Sequence, residues 1–165
     1  MQQITLLEVQ ASVRQQDSVS RKHSTVFIDT WRSYHPEVRH IVRDVRVNLP
    51  TFPTEFWAKA NHTLPEMCTP EIRGALAISD DLIDKLLGAD YIVLAVSMYN
   101  FSIPANFQVY IDNVVRVGRT FTFDRETLTF SGLASSKKVL LISPSAANYA
   151  PSTPMAAMDF CKPYV

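Results

Sequence analysis

The loop Met98-Tyr99-Asn100-Phe101-Ser102-Ile103-Pro104 carries side chains suited to binding a flat ligand. It follows an apolar run, Tyr91 to Val96, and precedes an apolar pattern of helical spacing, so it is predicted to join a strand to a helix. Open parallel sheets bind ligands in the crevice beyond the carboxyl ends of their strands. A methionine and two aromatic side chains offer apolar contact to a ring, and the Asn100 amide can hydrogen-bond its polar edge. The alternative is that these side chains pack in the core.

Serines gather in the loop after the first predicted strand, at Ser12, Ser18 and Ser20. Ser18 and Ser20 stand at the start of a predicted helix, where free backbone N–H groups and the positive end of the dipole favour an anion. The chain has only four glycines and neither Gly-x-Gly-x-x-Gly nor a Walker pattern, so the glycine-rich route to a phosphate is excluded. The serine loop is a candidate phosphate site, and a simple helix cap at Ser18 is the alternative.

Strands and helices alternate around these two loops. Strands are predicted at 4–9, 39–47, 91–97 and 138–143, the last of them buried, and helices at 17–36, 70–87 and 104–118. The first helix is expected to pack through Val19, Val26, Phe27 and Trp31. A short helical turn is expected at 55–60, a hairpin at 120–130 and the start of a helix within 154–164. This order predicts an α/β protein with a parallel sheet.

Composition limits the classes of function. A chain of 165 residues with 47% hydrophobic residues and 16 charges of each sign is expected to form one domain over 1–165, without affinity for nucleic acid. The absence of a long apolar stretch or a signal-peptide pattern predicts a cytoplasmic protein with no membrane segment. Cys68 and Cys161 lack the spacing of a zinc site or a disulfide framework, and no histidine is predicted to be catalytic.

Several segments together resemble the FMN-dependent NADH azoreductase and quinone oxidoreductase family. Ala11 to Arg14 and Ser18 to Arg21 look like its serine-rich phosphate loop, and Met98 to Phe101 looks like its flavin-contacting loop. Further matches cover nearly the whole chain: Tyr110-Ile111-Asp112, Arg116-Val117-Gly118, Thr120-Phe121 and Pro154 to Phe160. The resemblance implies a flavodoxin-like three-layer fold with a central parallel sheet, of which this sequence contains four of the usual five strands.

The resemblance also implies FMN as cofactor and NADH or NADPH as electron donor. It assigns the FMN phosphate to Ser12, Ser18, Val19 and Ser20, and the flavin ring to Met98, Tyr99, Asn100 and Phe101. It further assigns cofactor contacts to Ser143, Ser145, Ala146 and Tyr149. The proline-rich connection 48–70 offers Phe52, Phe56 and Trp57 either as walls of a substrate pocket, together with Phe123, or as a flap that packs onto the core. The implied reaction is ping-pong hydride transfer to quinones, azo compounds or nitroaromatic compounds in a homodimer, with no catalytic acid or base.

Three departures from the family pattern leave other functions open. Ser145-Ala146-Ala147 replaces an Arg-Gly-Gly-like turn, and alanine costs about 1 kcal/mol where a glycine had a positive φ. Phe123 replaces a frequent tyrosine, and the chain ends at Val165, before a further strand and helix of the family. The alternatives are a flavodoxin-like binding module without reductase activity and a one-electron carrier, which the neutral charge disfavours.

Overall fold

The computed structural model describes residues 3–63 and 65–165. Its strands are β1 Thr5–Gln10, β2 Arg39–Asp44, β3 Tyr91–Ala95, β4 Phe121–Asp124, β5 Thr129–Gly132 and β6 Lys138–Ile142. Its helices are α1 Val19–Tyr34, α2 Glu55–Asn61, α3 Pro70–Leu87 and α4 Ala105–Val114, with single 3-10 turns at Pro65–Met67 and Ala156–Met158. The predicted alternation of strands and helices is confirmed.

Four strands form the central sheet, in the order β2-β1-β3-β6, and every pair is parallel. Leu7 at the centre lies opposite Ile41 of β2 and Ile92 of β3. Parallel neighbours need a crossover connection, which α1 supplies between β1 and β2. The strands β4 and β5 form a separate antiparallel hairpin, as predicted.

Helices cover both faces of the sheet. On one face, Leu7, Val9 and Ile92 pack with Leu82 of α3 and Phe107 of α4. On the other face, Leu6 and Val93 pack with Ile28 of α1. Alternate residues of β1 therefore serve opposite layers, as the two-residue period of a strand requires. This is the three-layer α/β architecture, and α2 adds to it by packing on α3 through Trp57, Ala60 and Leu76.

Local sequence signals set the ends of the helices. Ser18, Thr54 and Thr69 are the N-caps of α1, α2 and α3, and each side-chain oxygen accepts a hydrogen bond from a backbone N–H in the first turn. Pro70 occupies the first turn of α3, and Gly88 ends that helix as predicted. The predicted turn at 55–60 is confirmed as α2.

The predicted apolar face of α1 is confirmed at Trp31, which packs with Leu6, Ile28 and Val93, and is wrong at Val19 and Val26. Val19 and Val26 are exposed, whereas Ser20, Ser24 and Ile28 are buried. The cause is a buried carboxylate on β1: Ser24 donates a hydrogen bond to Glu8, and His40 Nε2 lies 3.0 Å from the other Glu8 oxygen. The helix therefore turns a polar stripe toward the sheet, since a buried carboxylate needs partners.

Three other elements differ from the prediction. The strand β6 is an edge strand with Val139 57% exposed, because no strand lies beyond it in the described sheet. The helix α4 ends at Val114, ahead of Gly118, since Val115 has an extended backbone with φ −86° and ψ 90°. The predicted helix within 154–164 is only the 3-10 turn Ala156–Met158. Across the described residues, no helix is long and apolar enough to span a bilayer.

Candidate functional site

A cleft of about 310 Å³ opens at the carboxyl end of the sheet, between the loops that follow β1, β3 and β6. It brings together seven of the residues assigned from the sequence: Ser12, Ser18, Val19, Met98, Tyr99, Ser145 and Ala146. Arg14, Asp17, Ser97 and Pro144 complete its walls. The location agrees with the rule that parallel sheets bind ligands beyond the carboxyl ends of their strands.

One wall of the cleft is the N-terminus of α1. The N–H groups of Val19 and Ser20 donate no hydrogen bond within the described residues, whereas Arg21 N–H donates to Ser18 Oγ at 3.4 Å. These two donors, the helix dipole and the nearby Arg14 side chain all favour a negative charge. The residues present therefore fit a phosphate group at this end of the cleft.

A chain of serine hydroxyls supports this wall. Ser97 Oγ donates to Ser20 Oγ at 2.9 Å, and Ser20 Oγ lies 3.3 Å from Ser18 Oγ. Ser20 is completely buried, so its hydroxyl lies behind the wall, while Ser12 and Ser18 are nearly buried at the surface of the cleft. Phosphate binding by these serines stays a prediction, and for Ser20 it would use the backbone N–H rather than the hydroxyl.

Arg21 holds the loop after β1 in place. Its Nη2 donates to Ser12 O at 2.8 Å, and its Nε donates to Arg14 O at 3.0 Å. The same guanidinium makes two hydrogen bonds to the Asp44 carboxylate, at 2.8 and 3.0 Å. Arg21 thereby ties the loop after β1 to the end of β2, and a planar guanidinium is well suited to such multiple contacts.

The charge of Asp44 is stabilised by these contacts. Partial burial works against ionisation, but the hydrogen bonds from Arg21 and from Arg46 N–H outweigh it, so the pKa of Asp44 lies below its ordinary value. Asp44 is therefore an anion at neutral pH, and its charge keeps the Arg21 guanidinium fixed beside the loop.

The second loop makes a tight turn at residues 99–102. Tyr99 and Ser102 exchange backbone hydrogen bonds, both at 2.9 Å, and the two central residues have positive φ: 47° at Asn100 and 68° at Phe101. This is the geometry of a two-residue hairpin turn, which asparagine tolerates and phenylalanine rarely adopts. The turn directs the Met98 and Tyr99 positions to the cleft, whereas Asn100 and Phe101 lie outside its walls.

The third loop contributes Ser145 and Ala146 to the cleft. Neither Ala146 nor Ala147 has a positive φ, so the alanines carry no left-handed strain here. Ser145 Oγ donates to Ala147 O at 2.9 Å and closes the turn. Two other residues assigned to this region are not brought to the cleft: Ser143 Oγ lies against Cys161 Sγ at 3.3 Å, and Tyr149 is half-buried elsewhere.

The two residues assigned to the substrate pocket also lie apart from the cleft. Phe123 is on β4 and packs against Phe130, with ring centroids 4.7 Å apart. Phe56 is on α2 and is 43% exposed. Neither ring is among the cleft walls, so their role stays a prediction.

The sequence missed four residues in the walls of the site, Arg14, Asp17, Ser97 and Pro144, and two residues that support it, Arg21 and Asn106. Asn106 of α4 donates from Nδ2 to Ala11 O at 3.0 Å and so fixes the end of β1. Arg14 and Arg21 had a usable signal, since each lies within two residues of a serine that was itself selected. Ser97 and Asn106 had none, because only the folded chain brings their partners within reach.

Among the described residues no metal-binding cluster is found, and the Cys161 thiol is not activated. Within residues 3–63 and 65–165, no three His, Cys, Asp or Glu side chains are placed to hold a metal ion. Burial raises the pKa of the Cys161 thiol, so this group is protonated at neutral pH.

This chain matches a family model described as "Flavodoxin-like fold" over residues 5–165. It is 43% identical over 161 residues to an FMN-dependent NADH:quinone oxidoreductase of Nostoc sp., covering 97% of this chain and 77% of that protein. The structure superimposes on an azoreductase of Bacillus anthracis with a TM-score of 0.86 at 26% identity, covering 98% and 77% of the two chains. An FMN-dependent NADH-azoreductase of the same species, solved with FMN, has a TM-score of 0.83 at 18% identity and shares the fold.

The parallel sheet, its helical layers and the cleft at its carboxyl edge define a flavodoxin-like protein. The chain belongs to the flavodoxin-like family that includes the FMN-dependent NADH:quinone oxidoreductases and the azoreductases.

Proposed function

We propose that this protein is an FMN-dependent NAD(P)H oxidoreductase that reduces quinones and azo compounds, with nitroaromatic compounds as further acceptors. The observation that carries the proposal is the cleft itself, in which the N-terminus of α1 lies beside the Met98-Tyr99 segment. The names of its relatives support the same reading, since they include both NADH- and NAD(P)H-dependent quinone oxidoreductases.

The phosphate of FMN would lie at the N-terminus of α1. Val19 and Ser20 would donate their backbone N–H groups, Ser12 and Ser18 their hydroxyls, and Arg14 a positive charge. Arg21 does not reach the cleft walls and would act by holding the loop through Ser12 O and Arg14 O. Such preorganised donors bind an anion without the cost of ordering the loop.

The flavin ring would lie against Met98 and Tyr99, with Ser145 and Ala146 on the opposite wall. When bound, FMN would supply the hydride chemistry, taking electrons from NADH or NADPH and giving them to the acceptor in a ping-pong order. The side chains of this protein would place the ring, exclude water from one of its faces and leave room for flat molecules.

We further propose that the protein is cytoplasmic, that each chain folds as a single domain, and that two chains form a homodimer. Several large aromatic side chains of the described residues are exposed, including Phe123, Phe130 and Phe56. A second copy that covers these rings would bring Phe123 or Phe56 to the flavin of its partner, which accounts for their distance from the cleft of their own chain. Neither cysteine forms a disulfide, as is usual for proteins of a reducing compartment.

The test is an absorption spectrum of the purified protein with added FMN, followed by NADH in the absence of oxygen. We expect a perturbed flavin spectrum at micromolar FMN and bleaching of the visible flavin band on addition of NADH. Restoration of the band by a quinone or an azo dye would show turnover. If FMN does not bind, the reductase proposal is wrong and the chain is a flavodoxin-like binding module.

Arg14→Gln and Arg32→Gln provide a matched pair for the same titration. Both remove one positive charge, but Arg14 is a wall of the cleft and Arg32 lies exposed in the last turn of α1. A charge-assisted hydrogen bond to phosphate is worth about tenfold in affinity, so FMN should bind about tenfold more weakly to Arg14→Gln only. Equal binding by the two variants would remove Arg14 from the site.

A further inference from the structure

A second cavity, of about 610 Å³, lies among the end of α2, the helix α3, the loop after α4 and the turn between β4 and β5. It shares no wall residue with the cleft beside the N-terminus of α1, which we call the flavin cleft after the proposed ligand. Four arginines line it: Arg73, Arg116, Arg119 and Arg125. The only carboxylate among its walls is Asp80. We call it the arginine cavity.

The ion pairs of the arginine cavity leave positive charge uncompensated. Asp80 pairs with both Arg116 and Arg119, and Arg119 also pairs with Asp84 at 2.6 Å, outside the cavity. Even when Asp84 is counted, these two carboxylates match only two of the four arginines. Arg73 and Arg125 make no ion pair within the described residues. The cavity therefore has an excess of about two positive charges.

Arg116 presents a fixed donor to this space. Its side chain is only 8% exposed and is held on two sides, by Asn61 Oδ1 at 3.0 Å from Nε and by Ser79 Oγ and Asp80 Oδ1 at 2.9 and 2.8 Å from Nη1. Its Nη2 makes no hydrogen bond within the described part of the chain. A nearly buried guanidinium whose Nη2 amino group is unpaired is a preorganised site for an oxyanion.

We propose that the arginine cavity binds the phosphate or pyrophosphate group of a small organic molecule. Arg116 would provide the fixed contact at the floor, and Arg73 and Arg125 would close on the anion from the exposed rim. Apolar walls at Ala60, Leu76 and Val117 would contact the organic part. A volume of this size matches sites for small molecules, and the charge excess favours an anion with two or more charges.

The inference does not depend on flavin binding, because the two sites use different residues. The experiment is an NMR titration of the 15N-labelled full chain, first with inorganic pyrophosphate and then with ADP, at constant ionic strength. Gly118, in the wall of the arginine cavity, and Ser97, in the flavin cleft, are the two reporters. We expect saturable shifts of the Gly118 amide with both probes and tighter binding of ADP, which adds an organic body.

The test variant is the double substitution Arg73→Gln and Arg125→Gln, and Arg32→Gln is the matched control. Arg73 and Arg125 are exposed and make no ion pair, so their replacement leaves the fold intact. Loss of two charge-assisted contacts should weaken pyrophosphate binding by more than about tenfold, whereas Arg32→Gln should bind as the wild type does.

Three results would overturn the proposal: shifts at Ser97 without shifts at Gly118, equal weakening in the double variant and the control, or no response of Gly118 to either probe. A glutamate-rich peptide that shifts Gly118 where pyrophosphate and ADP do not would show instead that the cavity receives an acidic protein segment.

Discussion

At the scale of single residues, Arg21 holds the loop after β1 in shape without being part of the cleft wall. It contacts Ser12 O, Arg14 O and the Asp44 carboxylate with one guanidinium. Lysine keeps the charge but cannot make these planar contacts together. Arg21→Lys should therefore weaken FMN binding by about tenfold and lower the free energy of unfolding by about 1–3 kcal/mol.

Fluorescence quenching of FMN and urea unfolding measure the two effects of Arg21→Lys. The control is Arg32→Gln, which removes an exposed positive charge from the last turn of α1, away from the cleft. Exposed charges contribute little, so this variant should match the wild type. Wild-type affinity in Arg21→Lys would show that the loop holds its shape without the guanidinium.

Asp44 gives the fold a defined dependence on pH. Its pKa is lower in the folded protein than the value of about 3.9 of an unfolded chain, so its ionised form stabilises the fold. This contribution is complete above pH 3.9 or so and is lost as the pH falls through the folded pKa. The difference in unfolding free energy between the wild type and Asp44→Asn should be constant from pH 7 to about pH 5 and should shrink in more acid solution. Urea unfolding across this range measures this difference in unfolding free energy. A difference that widens in acid would show that folding raises the pKa of Asp44, contrary to the prediction.

At the scale of elements, the conformation of the 99–102 turn is expected to affect both the stability of the fold and the affinity for FMN. Phe101 has φ 68°, a conformation that costs a residue with a Cβ about 1 kcal/mol and costs glycine little. Phe101→Gly should therefore raise the free energy of unfolding by up to about 1 kcal/mol, less what the exposed ring contributes by packing. FMN should bind more weakly to the same variant if the ring contacts the flavin, as the sequence predicts.

Thermal unfolding and an FMN titration separate the two effects at Phe101. Ser102→Gly is the control, since Ser102 is the neighbouring residue and has no positive φ; glycine there should only destabilise the chain. Unchanged FMN affinity in Phe101→Gly would limit the flavin loop to Met98 and Tyr99.

The elements also separate what the sequence could predict from what it could not. Strands β1 and β3, the helix α3 and the hairpin β4–β5 were predicted because each has its own apolar period or turn signal. The buried face of α1 was not, because Ser24 is buried through Glu8, a residue of another element whose burial no local pattern announces. In the site, the loops and the serines were predictable from type and position, whereas Ser97 and Asn106 act through partners distant in sequence.

At the scale of the whole molecule, ligand binding should stabilise the fold. FMN would join loops from three strands, so it should bind the folded chain alone. At a free concentration one hundred times the dissociation constant, binding adds about 2.7 kcal/mol, which for a domain of this size raises Tm by roughly 5–11 °C. Differential scanning fluorimetry with riboflavin as control tests this, because riboflavin lacks the phosphate. An equal shift with riboflavin would show that the N-terminus of α1 does not hold the phosphate.

The edge position of β6 also belongs to this scale. The sequence of β6 is apolar enough to predict a buried strand, but burial depends on how many strands the sheet contains and not on the strand alone. Val139 is consequently exposed, beside an apolar groove that includes Phe27, Trp31 and Leu140. Local pattern thus identified the strand, and the topology of the described sheet decided its surroundings.

The positive φ of Phe101 in the 99–102 turn also predicts which residues this position retains under selection. In a library of random variants selected only for surviving heat, position 101 should drift toward glycine or asparagine, because those residues relieve the backbone. Under selection for turnover, the aromatic ring should be retained. The residues retained at position 101 under the two selections would show, without a structure of a complex, whether this position serves the fold or the reaction.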